Sequence, residues 1–339
     1  MREKFTTPWV FLLFLLLFLF TADLALGSIS IPLTEIFGIL FTGKSAQPVW
    51  TEIVLSFRLP KALTCTLAGS ALAVAGLQMQ TLFRNPLAGP DVLGLSAGAS
   101  LTVAILFMAP SAGFQFFDDL PPVLVSAAAT AGALAVFLIM VFVARKLADA
   151  VSLLIVGLMI GALAGSVVSV LQYLSKAENM QVFVMWTMGS LGGLNWNELS
   201  ILAVALILGA TIALTAIKSL NAWLLGERYA VSLGVNIRRT RLLTILSASI
   251  LTGAVTAFCG PIAFVGLAVP HLTRLLIKTH NHKSLIPAVA VGGAVLLLFC
   301  DIVSQMPGTA YILPINALTA LIGAPVVIWI ILQNKSMRI

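Results

Sequence analysis

Charged residues are scarce in this sequence. Only 9% of its 339 residues are Asp, Glu, Lys or Arg, whereas 60% are hydrophobic and the mean hydropathy is +1.09. Soluble domains carry roughly 25% charged residues, so the composition excludes a water-soluble globular protein. We therefore expect an integral membrane protein.

Cysteine and histidine are also scarce, with three of each in the chain. Cys65, Cys259 and Cys300 lie in apolar runs without metal-ligand spacing, which is typical of small core residues. His280 and His282 form an H-x-H pair on a short polar segment, and no third ligand is near them in the sequence. We expect solvated loop residues there rather than a metal site.

A nucleotide site of the chain's own is not predicted either. Residues 38–45, GILFTGKS, satisfy the literal P-loop pattern. That motif requires a strand before it and a helix N-terminus after it, whereas here an apolar run leads into a loop. Ionisable residues are likewise missing from the centres of the apolar runs, where proton- or sodium-coupled carriers place them. The energy for any transport is therefore expected from outside this chain.

Long apolar runs are what the sequence has in abundance. A helix of about 20 apolar residues crosses the roughly 30 Å hydrocarbon core of a bilayer. The runs predict an all-α fold of about ten spans, in a single domain covering residues 1–339. The predicted spans are 8–27, 59–82, 92–110, 121–144, 151–174, 198–217, 240–260, 262–278, 285–305 and 312–332.

The basic residues set the predicted orientation. With ten spans and the N-terminus inside, only Lys44, Arg58, Lys61 and Lys176 of the 19 Lys and Arg residues fall outside. This is the positive-inside asymmetry, and it places both termini in the cytoplasm. The formal charge of +7 is thereby accounted for by short inner loops, so nucleic-acid binding is not expected. The N-terminal run imitates a signal peptide, but its apolar core exceeds the usual length, and an uncleaved first span is expected.

Glycines recur at helical spacing in the fifth predicted span. Gly157, Gly161 and Gly165 share one helical face. Such a face permits close packing of helices in lipid, and a pore-lining face is the alternative interpretation. The two are compatible if the helix lines a pathway between packed neighbours.

Two stretches that join neighbouring spans are similar to each other. Residues 85–98 and 260–270 both pass through a proline into a run of glycine and apolar residues. In the predicted topology they run in opposite directions, which favours an inverted repeat of the kind found in transporters.

A polar stretch at 219–237 interrupts the apolar pattern on the predicted inner side. Gly226 and Gly234 bracket a short amphipathic turn, as helix stops do. One interpretation is a docking element for a protein outside the bilayer; the other is a loop helix lying among the headgroups.

His271 and Arg274 lie three residues apart near the inner half of the eighth span, on one helical face. Two interpretations of Arg274 remain open. Its guanidinium either snorkels to the inner interface or makes a polar contact with a neighbouring helix or the inner loops.

Three motifs resemble those of the permease subunits of type II ATP-binding-cassette importers, which take up iron-siderophores, haem and cobalamin. Residues 58–61, RLPK, resemble R-x-P-R; residues 76–99 resemble G-x3-Q-x3-R-N-P-L-A-x-P-x3-G-x3-G-A; residues 260–274 resemble G-x-I-x-F-V-G-L-x2-P-H-x2-R. The likeness covers nearly the whole chain from about residue 55. It implies the ten-span permease fold in a bacterial cytoplasmic (inner) membrane, in a subunit that catalyses nothing itself.

The resemblance also implies roles for particular residues. The stretch 219–237 becomes a pair of coupling helices that contact the ATPase, through Leu224, Gly226, Glu227, Ala230, Leu233 and Gly234. A pathway along a dimer axis between the fifth and tenth spans, with an inner gate, is expected to involve Asn85, Leu87, Ala150, Val151, Ser152, Gly157 and Gly161. Docking of a binding protein is expected at Arg58, Lys61 and the position of Gln305.

The implied assembly has two permease copies, as a homodimer, and two ATPase subunits, with a substrate-binding protein docking outside. ATP and Mg would be bound by the ATPase, and no cofactor is expected on this chain. The expected substrate is an iron-siderophore-type metal chelate, with haem or cobalamin as the alternatives. An ion-coupled secondary transporter and a membrane scaffold are the competing classes.

The chain departs from the family pattern in three places. Gln305 stands where Arg is usual, ILPIN (312–316) stands where E-L-P-[IV]-G is usual, and Val327 replaces a Phe. All three lie at the predicted outer mouth or in the tenth span. They bear on docking and substrate class rather than on architecture.

Overall fold

The computed structural model describes residues 3–27, 29, 31–43, 45, 47–109, 122–147, 150–305 and 312–333. Within these ranges the chain is built of helices and contains no β-strand, so the predicted all-α fold is confirmed. Lys44, in the rejected P-loop string, lies outside the described residues.

Seven helical segments of the described chain are long and apolar enough to cross a membrane. Each coincides with one of the predicted spans. They are α1 (Glu3–Ala25), α4 (Leu59–Leu82, preceded without a break by α3, Pro48–Glu52, and a π-helical turn, Ile53–Arg58), α6 (Pro122–Lys146), α7 (Ala150–Leu174), α9 (Trp196–Thr215), α12 (Ile237–Cys259) and α14 (His282–Ser304).

Three shorter helices of the described chain occupy the remaining predicted spans, so each of the ten predicted spans contains a helix. These are α5 (Leu95–Met108), α13 (Val265–Ile277) and α15 (Ile315–Gln333). Four further short helices join the spans: α2 (Leu33–Thr42), α8 (Ala177–Thr187), α10 (Ile217–Trp223) and α11 (Glu227–Ser232).

The helices α5 and α13 are too short to cross a bilayer alone. They contain 14 and 13 residues, or about 20 Å at 1.5 Å per residue, against the roughly 30 Å of the hydrocarbon core. Irregular segments precede both, residues 83–94 with a 3-10 turn at Pro90–Leu93 and residues 260–264. Both segments contain backbone in the left-handed region, at Gly94 (φ 75°) and Phe264 (φ 67°). The two similar stretches of the sequence are thus the two broken spans, and the inverted repeat stays a prediction.

The helix α4 is the centre of the bundle. In its most apolar window 78% of the residues are buried, against 17% for α7. Small residues let α14 approach it closely: a Cβ atom on Gly69 would collide with the carbonyl of Gly293, and one on Gly293 with the carbonyl of Gly69. Close approach through paired small residues is how helices gain packing energy in lipid.

We expect Gly293→Ala to destabilise the bundle because the added methyl group forces α4 and α14 apart. Overpacking of a tight contact costs about 1–3 kcal/mol, which a lower thermal unfolding midpoint in detergent should show. The control is Gly165→Ala on α7, where an added Cβ meets no atom within 4 Å. Equal midpoints for the two variants would contradict the close contact.

Candidate translocation pathway and coupling region

Both broken spans open onto one cavity of about 400 Å³ beside α7. Irregular backbone at membrane depth is tolerated where it is buried in protein or lines a cavity, and both conditions meet here. The lining comes from the first broken span and the start of α5 (Asp91, Gly94, Ser96, Ala97), from α7 (Gly157, Leu158, Gly161) and from the second broken span (Pro261, Ile262, Ala263).

Gly157 and Gly161, predicted for the pathway, play different parts at this cavity. A Cβ on Gly157 would collide with the carbonyl of Val92, and one on Gly94 would lie 2.9 Å from the carbonyl oxygen of Gly157. A Cβ on Gly161 would meet only the Cβ of Ala97, at 3.9 Å. Helix packing and a cavity-lining face therefore coexist on α7: Gly157 serves both, and Gly161 serves the second.

The cavity offers few polar groups. Ser96 Oγ donates a hydrogen bond to Asp91 Oδ1 (2.8 Å) and lies 3.3 Å from Thr256 Oγ1. Among the described residues that line it, none is basic or aromatic. Such a surface can hold a solute only weakly, because tight sites need several convergent polar groups or aromatic faces.

The predicted gate residues Asn85 and Leu87 lie in the turn that follows α4. Asn85 Oδ1 accepts a hydrogen bond from the backbone N–H of Leu87 (2.9 Å), and the Asn85 carbonyl accepts from Ala88 (3.1 Å). His271 Nε2 on α13 lies 2.8 Å from the carbonyl oxygen of Pro86, and this contact holds the turn against α13. Leu87 is left 43% exposed, so its side chain is available to a partner.

The other predicted gate residues begin α7. Val151 is 63% exposed, and Ala150 and Ser152 are half-buried. The first broken span packs on this helix two turns further along, at Gly157. The two gate segments thus belong to one packed unit, and their gating role stays a prediction.

Arg274 makes a polar contact with a neighbouring helix, which settles the two interpretations of this residue. Its Nη1 donates to Gln80 Oε1 on α4 (2.9 Å), and Gln80 Nε2 donates in turn to the Leu267 carbonyl on α13 (3.1 Å). The end of α4, which leads into the gate turn, is therefore held to α13.

The prediction of a solvated His282 is wrong. The residue is 1% exposed, and its Nε2 lies 2.9 Å from Thr81 Oγ1. Its Nδ1 and its backbone N–H both lie 2.8 Å from Asn221 Oδ1. The hydroxyl belongs to α4 and the amide to α10, both far from His282 in the sequence. Because these two side chains supply hydrogen-bond partners for its nitrogens, the histidine can be buried.

The short helix predicted between Gly226 and Gly234 is present as α11. Gly226 (φ 106°) precedes it and Gly234 (φ 79°) follows it, both in backbone conformations that favour glycine. Ala230 is fully buried against the bundle. Leu224 and Leu233 are 39% and 57% exposed, which leaves an apolar surface at an otherwise polar end of the molecule.

Sequence reasoning missed Arg241, one turn into α12. Its side chain is only 3% exposed, and Nη2 lies 3.5 Å from Glu227 Oε1 at the start of α11. Nη1 donates to the Leu147 carbonyl at the end of α6 (2.9 Å), three residues before the gate segment 150–152. One buried guanidinium thus joins the predicted coupling helix to the chain that leads into the predicted gate.

The three residues predicted for docking lie together at the opposite end, and all have partners within the chain. Arg58 Nη1 donates to the carbonyls of Leu24 (2.7 Å) and Ala25 (3.0 Å), where it caps the end of α1. Lys61 Nζ lies 2.9 Å from Asp301 Oδ2. Gln305 Nε2 donates to Asp301 Oδ2 (2.7 Å), as well as to a carboxylate on α1.

That second carboxylate is Asp23, so two acidic side chains share one buried cluster. Asp23 and Asp301 are each 2% exposed, and Gln305 reaches Asp23 Oδ1 at 3.0 Å. Potential ligand atoms of Asp23, Cys65 and Asp301 lie within 4.8 Å of one another. The Lys61 ammonium already supplies the positive charge there, so the cluster is an ion-pair site that joins α1, α4 and α14.

A bundle of membrane-spanning helices with two broken spans around a weakly polar cavity is a membrane permease in its architecture. The comparisons with known proteins agree. The model of the FecCD transport family matches residues 15–333, and the chain belongs to that family.

Three relatives and one solved structure place the chain within the family. The hemin transport system permease of Yersinia pestis is 37% identical over 333 residues, 97% of this chain and 96% of the relative. The vitamin B12 import system permease of Vibrio cholerae is 38% identical over 84% of this chain and 83% of the relative's length. The Fe(3+) dicitrate transport system permease of Escherichia coli K12 is 34% identical over 84% of this chain and 86% of the relative. A solved structure described as the inward-facing conformation of a metal-chelate type ABC transporter aligns with a TM-score of 0.80 at 30% identity, covering 94% of this chain and 97% of that one.

Proposed function

We propose that this chain is the membrane-spanning subunit of an ATP-driven importer for an iron chelate. The observation that carries the proposal is the cavity that both broken spans share with the glycine face of α7. Transport proteins place solute sites where discontinuous helices meet inside the membrane. A weakly polar lining suits a subunit that receives a solute from a binding protein and releases it without holding it.

The energy enters through the end that carries α10 and α11. Exposed Leu224 and Leu233, with Gly226, Glu227 and Gly234 shaping the helix, form a surface for a separate ATPase subunit. Two ATPase copies would bind ATP and Mg, and this chain would hydrolyse nothing. Because basic residues concentrate at this end, it lies in the cytoplasm together with both termini, and the membrane is the bacterial inner membrane.

A second copy of the chain completes the pathway. The helix α7 is the least buried of the seven long helices, at 17% of its window, although it lines the cavity. Pairing of two copies through α7 and α15 would cover this face and close the cavity into a channel along the dimer axis. A substrate-binding protein would dock at the opposite end, where Arg58, Lys61 and Gln305 cluster.

Haem is the first chelate to test. The hemin permease matches over 97% of this chain, whereas the vitamin B12 and ferric dicitrate permeases each match over 84%. An iron-siderophore is the second candidate, since ferric dicitrate is also an iron chelate, and cobalamin is the third.

Reconstitution in proteoliposomes with the cognate ATPase and binding protein tests the function. We expect uptake of labelled haem that requires ATP and the binding protein and that is abolished by leaving out either. A ferric siderophore and cobalamin, offered in parallel, measure substrate preference. Uptake that proceeds without ATP under a proton or sodium gradient would refute the importer, and ATP-driven uptake of another chelate alone would correct the substrate.

A further inference from the structure

The helices α6 and α12 form a groove that the proposed transport function does not use. At the end that carries α11, a cavity of about 500 Å³ lies between them. Its lining is dominated by arginine, and its members are Ala144, Arg145, Asn236, Arg238, Arg239, Arg241 and Leu242.

Three of these arginines are available to a ligand. Arg145, Arg238 and Arg239 are exposed, and neither of the ion pairs within the described chain involves them. Arg241 is committed to Glu227 and Leu147. Three guanidinium groups around one cavity form a site for a phosphate, because their N–H groups match its oxygens in pairs.

Further along the same helix pair lies a second, apolar cavity of about 460 Å³. Alanine and glycine on α6, α9 and α12 leave the space, for example Ala133, Ala205 and Gly253. Leu134 and Ile201 on its rim are 52% and 58% exposed, so the cavity opens sideways to the hydrocarbon of the bilayer. None of its lining residues belongs to α7 or α15, so the proposed dimer leaves it facing lipid.

The spacing of the two cavities fits one amphiphile. On α12 the arginine cavity ends at Leu242 and the apolar one begins at Leu246; on α6 the corresponding residues are Ala144 and Phe137. At 1.5 Å per residue these separations are about 6 and 10 Å along the helix axes. A glycerol backbone with its ester linkages spans such a gap between a phosphate and its acyl chains.

We propose that the α6–α12 groove binds one anionic phospholipid, with its headgroup on Arg145, Arg238 and Arg239 and an acyl chain in the apolar cavity. Basic pockets between membrane helices are known to hold anionic headgroups. The groove differs from the general lipid-facing surface because an arginine-lined cavity and an apolar cavity lie next to each other along the same two helices.

Native mass spectrometry of the purified full-length chain, titrated with phosphatidylglycerol or phosphatidylcholine of identical acyl chains, tests the proposal. We expect the first phosphatidylglycerol to bind about tenfold more tightly than phosphatidylcholine. The variant R145Q/R238Q/R239Q should lose this preference. Its control, K218Q/K278Q/K283Q, removes the same charge from exposed lysines at the same end and should keep it.

The acyl-chain half is tested without any change of charge. Ala205→Phe puts a ring into the apolar cavity and should weaken binding of both lipids, whereas Val204→Phe, on the neighbouring position that is 58% exposed to lipid, should not. Equal affinity of the unmodified chain for the two lipids overturns the proposal, as does an Ala205→Phe variant that binds normally. It is also overturned if the arginine variant keeps its lipid preference and instead loses capture of the ATPase, since the arginines would then belong to that protein contact.

Discussion

Replacing Lys61 with methionine is expected to destabilise the protein by about 3 kcal/mol, the cost of breaking a buried ion pair by removing one partner. Lys61 Nζ lies 2.9 Å from Asp301 Oδ2. The side-chain amide of Gln305 donates hydrogen bonds to the carboxylates of both Asp301 and Asp23. Without the ammonium group, two buried carboxylates would face each other with only a neutral amide between them. A lower thermal unfolding midpoint of the purified chain measures the effect.

The double variant Lys61→Met/Asp301→Asn is the matched control. It removes one charge of each sign, and Gln305 can still donate to Asp23. Most of the lost stability should therefore return, because replacing both members of a buried pair is far less costly than removing one. A Lys61→Met midpoint equal to that of the unmodified chain would contradict the ion-pair role.

The same double variant separates stability from docking. If Lys61 also contacts a binding protein through its charge, the double variant should be stable yet bind that protein more weakly, with a weaker dependence on salt. If the binding affinity returns together with the stability, the lysine acts within the chain alone. The intramolecular partners of Arg58 and Lys61 are the reason why such a test must precede any charge reversal at this end.

Hydropathy predicted the spans because burial in lipid imposes one rule on every residue of a helix. All ten predicted spans have a helix, and even the short α11 follows from its two flanking glycines. Hydropathy did not predict that α5 and α13 are too short to cross a bilayer, since residues 92–94 and 262–264, which the predicted spans included, are apolar or small although their backbone is irregular. Their glycines and prolines were visible, but only tertiary packing shows that both segments line one cavity.

Buried polar residues were the hardest part of the site to predict. Arg241 looked like one of many basic residues at the inner end of a span, and His282 looked like a loop residue. Each is buried because its partners come from distant segments, Leu147 and Glu227 for the first, Thr81 and Asn221 for the second. In a single sequence nothing distinguishes such a residue from its solvated neighbours, since the pairing is set by the fold.

Arg241→Met is expected to uncouple ATP hydrolysis from uptake. The guanidinium holds Glu227 at the start of α11 and the Leu147 carbonyl at the end of α6, so it connects the proposed ATPase surface with the segment entering α7. A methionine fills similar volume without charge, and the carboxylate that it leaves unpaired, that of Glu227, is 44% exposed and stays solvated, so the fold should avoid the penalty of a buried unpaired charge. Movement of α11 would then no longer be transmitted to residues 150–152, where we place the gate.

In proteoliposomes with the ATPase and binding protein, this variant should hydrolyse ATP while its uptake per ATP falls about tenfold, the effect of losing roughly 1.4 kcal/mol of coupling. Lys278→Met, which removes one positive charge from an exposed position at the same end, should leave the ratio unchanged. Arg241→Lys keeps the charge but lacks the forked geometry that reaches two partners at once, so it should behave like the methionine variant. Normal coupling in Arg241→Lys would mean that only the positive charge of the residue matters. Normal coupling in Arg241→Met would mean that Arg241 does not connect the ATPase surface with the gate.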